Sequence, residues 1–227
     1  MSLLLQGLLD LKQTDHSLLF KDCEYPWEIL PKIKDYLEKY LRPKILGKVS
    51  PQAVLEGAVF IGEGTIVEPH VYIKGPAWIG RDCQIGQGAY LRGNVIVGNQ
   101  CVLGNSCEFK NSLFFNEAKA PHFDYVGDSI LGYHAHLGAG VTLSNLKVTK
   151  GSIVITVKGK KIDTGLRKLG AILGDHVEIG CHTVLNPGSI IGRNSTLYPS
   201  ISWRGFCPPN TIIKLKQKYT SVRKKTK

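Results

Sequence analysis

Apolar residues recur at every sixth position along the middle of the chain. The series runs without a break from Leu55 to Phe115, and each member is followed four residues later by a smaller side chain, from Val59 to Leu113. A helix repeats every 3.6 residues and a half-buried strand every two, so neither element explains this period. A period of six is typical of a parallel β-helix, in which three short strands make one coil of roughly eighteen residues.

The side chains fit that architecture. The branched residue fills the interior, and the residue four later must be small because three such side chains converge at each level of the coil. Glycine follows the branched residue in several hexads, as in Ile61-Gly62 and Ile85-Gly86, which suits a tight corner. Coils stack about 4.8 Å apart and bury their core only against neighbouring coils. A sandwich of alternating strands would not keep one register for so long.

The hexads stop twice. After Phe115 they resume at Tyr125, ten residues on and four more than one hexad, so we expect a loop near 116–121. A second gap ends at Leu173, and the segment near 146–170 carries no hexad pattern. We interpret both gaps as excursions in which the chain leaves the coil and returns to it.

The beginning of the chain contains no hexads. The segment from Pro26 to Tyr40, PWEILPKIKDYLEKY, places apolar residues at helical spacing, which predicts an amphipathic helix. We expect this part to cap the first coil. The sequence therefore predicts an all-β solenoid over 51–203, a short helical appendage at 1–50 and a basic tail at 204–227.

Composition limits the class of protein. With 227 residues, 43% of them hydrophobic, the chain can bury a substantial core. No apolar run reaches the roughly eighteen residues of a membrane span, and the first residues lack the features of a signal peptide, so we expect a cytoplasmic protein that makes no membrane contact. Cys83, Cys101 and Cys107 fall at inward hexad positions, where a thiol acts as a small apolar filler. No CxxC pair indicates zinc, and we predict no metal site.

The net charge of +11 is concentrated at the end of the chain, since no acidic residue follows Glu178. Such a tail is typical of a segment that binds nucleic acid, of one that binds a phosphorylated small molecule, or of a solvated terminus. The basic residues among the last fourteen are Lys214, Lys216, Lys218, Arg223, Lys224, Lys225 and Lys227.

One histidine has the surroundings of a general base. The segment PHFDYVGDS places His122 next to Tyr125 and close in the chain to Asp124 and Asp128. A histidine oriented by a carboxylate can accept a proton from a reacting group. The spacing alone favours the alternative, a plain surface histidine.

Several segments together resemble a known family. The hexads are followed by PHFDYVGDS, then by LGAG from Leu137, and then by VKGKKIDTGLRKLGA from Val157 to Ala171. These segments resemble the left-handed β-helix acetyltransferase domain of bifunctional glucosamine-1-phosphate N-acetyltransferase / N-acetylglucosamine-1-phosphate uridylyltransferases. The KGKxIxTGxRKLGA segment is most similar to the archaeal-type sugar-1-phosphate nucleotidyltransferase branch. The resemblance covers roughly Leu55 to Trp203.

The resemblance implies an N-acetyltransferase that uses acetyl-CoA and acts on an amino-sugar phosphate, most simply glucosamine-1-phosphate. It also implies a C3 homotrimer with clefts between neighbouring subunits, and it places the basic tail near the CoA phosphates. By position, it implies His122 as the general base, Arg92 and Lys110 as ligands of the sugar phosphate, Tyr125 and Asn145 as further substrate contacts, Lys168 as a contact from the adjacent subunit, and Gly138, Ala139, Gly140 and Cys181 as the lining of the acetyl-CoA cleft.

Three positions depart from the family pattern. His136 replaces an asparagine before the Gly-Ala-Gly turn, Leu146 replaces a common tyrosine, and Cys181 replaces a common serine. These changes bear on the specificity for the sugar or the acyl group. The uridylyltransferase half with its Gly-rich signature is missing from the sequence, so we expect no nucleotidyltransferase activity from this chain.

Two other classes of function match parts of the sequence. A non-catalytic assembly or nucleic-acid scaffold would use the helix and the basic tail, but it would not need the PHFDYVGDS and RKLGA segments. A γ-type carbonic anhydrase shares the fold and binds zinc through three histidines from two subunits, but its surrounding motifs are missing. The histidines available for that role are His122, His134, His136, His176 and His182.

Overall fold

The computed structural model describes residues 3–224. Most of these residues form a series of coils, each stacked on the next. Each coil contributes one strand to each of three parallel sheets, so neighbouring strands within a sheet are three strands apart along most of the chain. Two sheets contain nine strands and the third contains eight. The fold is the left-handed parallel β-helix that the hexads and the resemblance predict. Among the described residues, no helix combines the length and the apolar character that crossing a bilayer requires.

The three sheets are numbered here in the order in which the chain enters them. Sheet 1 consists of Lys44–Ile45, Val59–Ile61, Ala77–Ile79, Val95–Val97, Ser112–Phe114, Ile130–Leu131, Ala171–Leu173, Ser189–Ile191 and Phe206–Cys207. Sheet 2 consists of Lys48–Val49, Ile66–Val67, Gln84–Ile85, Val102–Asn105, Lys119–His122, His136–Leu137, Glu178–Ile179, Thr196–Leu197 and Ile212–Ile213. Sheet 3 consists of Val54–Glu56, Tyr72–Lys74, Tyr90–Leu91, Glu108–Lys110, Tyr125–Gly127, Thr142–Leu143, Val184–Leu185 and Ser202–Trp203.

The solenoid is longer than the sequence pattern indicates. Lys44–Ile45 and Lys48–Val49 pair with the next coil before residue 51, and Ile212–Ile213 pairs with Thr196–Leu197 beyond residue 203. These short end strands carry few hexad residues, so periodicity alone does not reveal them. The inward cysteines at 83, 101 and 107 are buried in the core, as predicted.

The register shifts by one residue at two neighbouring phenylalanines. Ile79 pairs with Val97, eighteen residues on, but Val97 pairs with Phe114, only seventeen residues on. Phe114 therefore faces the interior, where its ring meets the ring of Phe109 at 5.5 Å. Phe115, which the hexads place inside, packs on the outer surface against Phe20. Because both positions are apolar, the six-residue count does not distinguish them.

The chain stays in the coil near 116–121, where we expected a loop. Lys119–His122 is a strand of sheet 2 and pairs with Val102–Asn105 of the preceding coil. The inward residues here are Phe114, Ala120 and Val126, each six positions apart and all buried. The apparent ten-residue gap arose because Phe115 and Tyr125 were counted as interior residues. Val126, and not Tyr125, fills the core.

The chain leaves the coil near 146–170. Leu131 pairs with Leu173, 42 residues later, so this coil holds an insertion. The insertion contains an antiparallel hairpin formed by Val154–Val157 and Lys160–Asp163. Its buried residues Ile153 and Ile155 pack on the outer surface of sheet 1.

Residues 3–41 cover the outer face of sheet 1, and they are not confined to the end of the first coil as we expected. Outward residues of sheet 1, including Ile96 and Ile190, are buried with Leu8, Trp27 and Ile33 in one apolar cluster. The hexad pattern describes inward residues only, so it does not predict that the outer face of sheet 1 is covered. The segment contains α-helices Leu5–Leu8 and Ile33–Tyr40 and 3-10 helices Leu11–Gln13, Ser17–Phe20 and Pro26–Lys32.

The helix predicted from Pro26 to Tyr40 is present but divided. Pro26–Lys32 is a 3-10 helix that contains Pro31, and the α-helix begins only at Ile33. A proline inside an α-helix lacks the N–H donor, and its ring collides with the preceding turn. Pro31 therefore delays the start of the α-helix by most of two turns.

Ile96→Asp tests the cover on sheet 1. Ile96 is fully buried beneath residues 3–41, so the change leaves an unpaired charge between the two layers. We expect it to lower the free energy of unfolding by about 3–5 kcal/mol and to increase amide exchange over residues 3–41. The control is Gln84→Asp, at an exposed outward position of sheet 2. Equal stability of the two variants would contradict the burial of sheet 1.

Candidate active site

The predicted site residues lie at the two edges of sheet 3. At the corner between sheets 2 and 3, successive coils place His122, then the Gly138–Gly140 turn, then Cys181; we call this column the His122 corner. At the opposite corner, between sheets 3 and 1, lie Asp128 and several of the predicted substrate contacts; we call this column the Asp128 corner. The strand Tyr125–Gly127 connects the two corners.

Main-chain hydrogen bonds connect the coils at the His122 corner. The N–H of Gly140 donates to the carbonyl of His122 at 2.9 Å, and the N–H of His182 donates to the carbonyl of Ala139 at 2.9 Å. His122 ends its strand and is exposed, and Phe123 after it has a φ of 56° and is 65% exposed. The structure thus brings His122 next to the predicted acetyl-CoA residues.

Neither carboxylate near His122 in the chain contacts its imidazole, which differs from our expectation. Asp124 is 2% exposed and accepts hydrogen bonds from the main-chain N–H groups of His122 at 3.3 Å and Val141 at 2.9 Å. Burial raises the pKa of Asp124 to about 6, although these bonds and the charge of His136 oppose the shift. Asp128 lies at the other corner.

Asp128 holds the side chains of that corner together. Its carboxylate accepts hydrogen bonds from Asn145 Nδ2 at 2.5 Å and from Asn111 Nδ2 at 2.8 Å, and it lies 3.5 Å from Lys110 Nζ. Because Asp128 is buried, its charge requires these partners. The predicted contacts Lys110 and Asn145 are therefore next to each other.

Arg92 belongs to the same corner and also has an acidic partner. Its guanidinium lies 2.6 Å from the carboxylate of Glu108, and both side chains are partly exposed. Each predicted phosphate ligand, Arg92 and Lys110, is thus paired with a carboxylate. The four charges at this corner cancel.

Tyr125 extends across sheet 3 toward the Asp128 corner. A Cβ on Gly127 would lie 2.7 Å from both the Tyr125 hydroxyl and Asn145 Nδ2, so these two groups meet above the space that the missing side chain of Gly127 leaves. Partial burial raises the pKa of Tyr125, and the nearby carboxylates of Glu108 and Asp128 raise it further. Tyr125 is therefore a neutral hydroxyl beside the charged pairs.

Lys168 lies where the insertion rejoins the coil. It pairs with Leu146 in an isolated antiparallel bridge, and the N–H of Leu169 donates to the carbonyl of Asn145 at 3.0 Å. Lys168 is exposed. The main chain thus fixes Lys168 close to the Asp128 corner.

An open cleft runs along the outer face of sheet 2 from the His122 corner. It has a volume of about 360 Å³. His136, one of the departures from the family pattern, lies 2.8 Å from the carboxylate of Glu178 in its wall. Lys214 of the tail lies 5.3 Å from the centre of the Tyr198 ring, so the start of the tail borders the cleft. The residues that line it include His136, Gly138, Glu178, Cys181, Tyr198 and Pro199.

The histidines of the chain are divided between corners. His134 and His176 stack 5.5 Å apart beside Tyr133, at the corner between sheets 1 and 2, away from His122. Within residues 3–224, no three His, Cys, Asp or Glu side chains are grouped so that they could hold a metal ion. Of the basic residues in the tail, Lys225 and Lys227 lie outside the described residues.

Sequence reasoning missed Glu108 and did not place Asp124 inside the coil. Glu108 pairs with Arg92 from the neighbouring coil, and Asp124 occupies an inward position that is otherwise held by a small residue. The signal for Asp124 was available once Val126 was recognised as a core residue, because the small position lies two residues before the branched one. With Tyr125 counted as the core residue, that relation was hidden.

Comparison with known proteins gives relatives at substantial identity. The chain is 48% identical over 178 residues to the bifunctional protein GlmU of Methanococcus maripaludis strain C7, which covers 78% of this chain and 43% of that protein. It is 41% identical over 178 residues to GlmU of Methanococcus maripaludis strain S2, with the same shares. It is 34% identical over 188 residues to a bifunctional sugar-1-phosphate nucleotidylyltransferase/acetyltransferase of Sulfurisphaera tokodaii, covering 83% of this chain and 47% of that protein.

The chain thus spans less than half the length of the curated relatives it matches. A family model described as the GMPPB C-terminal domain matches residues 73–197, which is more than half of the chain and includes both corners of the candidate site. These matches confirm the resemblance to GlmU-type bifunctional proteins over that part of their length. The chain belongs to the family of the GMPPB C-terminal domain.

Proposed function

We propose that this chain is an acyltransferase that moves the acetyl group of acetyl-CoA to the amino group of a sugar phosphate, with glucosamine-1-phosphate as the acceptor. The name of the relative from Sulfurisphaera tokodaii includes an acetyltransferase activity. The observation that carries the proposal is the position of His122, an exposed residue one coil away from the Gly138–Gly140 turn, whose Gly138 lines the cleft.

The His122 corner supplies the groups that acyl transfer needs. A neutral His122 would accept a proton from the substrate amine as its nitrogen bonds to the carbonyl carbon of the thioester. The C–S bond then breaks, and the proton passes to the departing thiolate. Gly138 and Gly140 donate their N–H groups to Ile179 and His122, whereas the N–H of Ala139 makes no hydrogen bond within residues 3–224. The main-chain N–H of Ala139 is therefore the group of this turn that donates a hydrogen bond to the oxyanion.

The substrate and the long basic side chains together have to bridge the distance between the two corners. Three residues of strand separate them, which is about 10 Å at roughly 3.3 Å per residue. In glucosamine-1-phosphate the amine on C2 and the phosphate on C1 are on neighbouring carbons, so a sugar with its amine at His122 requires Arg92 and Lys110 to extend from the Asp128 corner toward its phosphate. Its phosphate would take over Arg92 and Lys110 from their carboxylate partners, and bidentate contact favours the guanidinium.

We propose a cytoplasmic location. All six cysteines are free thiols, and Cys181 is exposed in the wall of the cleft. An exposed thiol at a binding site persists where the compartment is reducing.

His122→Ala is expected to reduce acetyl transfer by at least about a hundredfold, because general-base catalysis contributes about 10²- to 10⁴-fold. The melting temperature should change little, since the side chain is exposed. The measurement is thiol release from acetyl-CoA with glucosamine-1-phosphate. The control is His70→Ala, an exposed histidine in the same column of corners several coils away. Turnover above about a tenth of wild type in His122→Ala would refute the assignment.

A C3 homotrimer is part of the proposal. Residues 3–41 and the hairpin cover sheet 1, so sheets 2 and 3 remain to contact neighbouring subunits. The site lies on those two sheets, where a partner can complete the cleft. Light scattering at micromolar concentration should give three times the mass of one chain, and this mass should not fall when a chelator is added. The mass of a single chain would refute the trimer.

Deletion of the residues after Ile213 should raise the KM for acetyl-CoA and leave kcat nearly unchanged. The phosphates of CoA lie far from the thioester, so contacts to them stabilise ground and transition states equally. Added salt should mimic the deletion, because the Debye length is only about 8 Å at 0.15 M.

The control for the deletion is a variant with alanine at Lys158, Lys160 and Lys161. These lysines are exposed at the tip of the hairpin. Replacing them lowers the net charge of the chain away from the cleft, so the KM for acetyl-CoA should not change. An unchanged KM in the deletion, together with loss of salt-sensitive binding to DNA or RNA, would instead support the nucleic-acid scaffold. No change in either would leave the tail as a solvated terminus.

A further inference from the structure

Four of the buried polar side chains at small inward positions make the same contact between coils. An oxygen of each side chain accepts the main-chain N–H of the matching residue in the next coil. The pairs are Cys83 to Thr65 Oγ1 at 2.9 Å, Val141 to Asp124 Oδ1 at 2.9 Å, Ala171 to Ser129 Oγ at 3.0 Å and Thr211 to Ser195 Oγ at 3.0 Å. The four oxygens therefore hold neighbouring coils together.

Asp124 differs from the three hydroxyl residues in the second hydrogen bond that its side chain makes. Thr65 and Ser195 donate their hydroxyl protons to the carbonyls of Gly80 at 2.7 Å and Pro208 at 2.8 Å. An ionised carboxylate has no proton to donate, but it has a second acceptor oxygen. Asp124 Oδ2 accepts the main-chain N–H of His122 at 3.3 Å. Asp124 thus does what the hydroxyls do and also binds the residue at the centre of the candidate site.

We propose that ionised Asp124 is a positioning residue, which holds the main chain of His122 against the coil that carries the Gly138–Gly140 turn. This inference rests on the proposed function. One carboxylate contacts His122 and Val141 together, so it fixes the distance between the proposed base and the proposed oxyanion donor. Phe123, between His122 and Asp124, has a φ of 56°, which a bulky residue adopts only when its surroundings impose it.

Few charged or titratable groups face Asp124. Cys107 of the preceding coil donates its thiol to Oδ2 at 3.9 Å and accepts the N–H of Asp124 at 3.2 Å. Burial raises the pKa of this thiol to about 12, so the thiol stays neutral. His136 of the following coil acts on Asp124 through its charge, and His122 contacts it through the main chain only.

Ionisation of Asp124 costs stability, which is consistent with a functional role. Burial raises the pKa of Asp124 from 3.8 to about 6. The folded state therefore holds the proton more tightly than the unfolded state does, so this stability is present below about pH 4 and lost as pH rises through 6. A serine at this position would avoid the loss. The protein has an ionised carboxylate at this position, whereas Thr65, Ser129 and Ser195 make the equivalent bond between coils with an uncharged hydroxyl.

The test is Asp124→Ser, which keeps the bond to Val141 and removes the one to His122. We expect kcat for acetyl transfer to fall about ten- to a hundredfold, because small displacements of a catalytic group have effects of that size. The KM for acetyl-CoA should stay within about twofold. The melting temperature of the variant relative to wild type should rise between pH 5 and pH 7. The control is Thr65→Ala, which removes the equivalent bond between coils far from His122 and should lower the melting temperature without lowering kcat.

A second readout does not depend on activity. In protein labelled with ¹⁵N-histidine, the main-chain amide of His122, identified by its loss in His122→Gln, should titrate near pH 6. That titration step should disappear in Asp124→Ser. An inactive wild type whose amide signal titrates as expected would refute the proposed function but not the contact. Asp124→Ser with wild-type kcat, or with an unchanged amide titration, would refute the positioning role.

Discussion

The parallel register between coils is the constraint on which the rest of this structure depends. In the middle coils, each strand residue lies beside the one seventeen or eighteen positions on, because three strands and three corners close one turn. Residues far apart in the chain thereby form columns along the solenoid. Arg92 and Lys110 are neighbours because they are one coil apart, and so are Asp124 and Val141. The candidate site is a consequence of this register, and a slip of one residue in a single coil would separate its parts.

Electrostatics at the site follow from the same columns. Arg92 and Lys110 alone would make a cationic pair, but Glu108 and Asp128 lie in adjacent positions and neutralise them. Without substrate, the corner is thus an internally paired network that holds its side chains in place. An anion must compete with existing carboxylates, and this competition disfavours ligands that cannot contact both cations. The charge of the whole chain, by contrast, is concentrated in the tail.

How much the sequence predicts depends on which side of the coil a residue faces. The interior follows from the period of six, because every inward position must be apolar or small, and the buried cysteines were placed correctly. Phe114 and Phe115 show the limit, since two adjacent apolar residues both satisfy the pattern and only the packing of Phe20 on the outside distinguishes them. The proposed base was located by resemblance. The contact of Asp124 with Val141 depends on a register between coils that no local pattern reveals.

The cover on sheet 1 changes how the solenoid behaves as a whole. A bare β-helix contains mainly contacts between neighbouring coils, so it can open from either end one coil at a time. Here the main-chain N–H of Asp10 donates to Asp175, 165 residues away, and the N–H of Asp175 donates to the carbonyl of Leu8. The beginning of the chain is thereby fastened to a coil near its end. Fraying of the last coils must break contacts made by the first residues, so the repeat unfolds as one cooperative body, and it can complete its fold only after nearly all of the chain has been made.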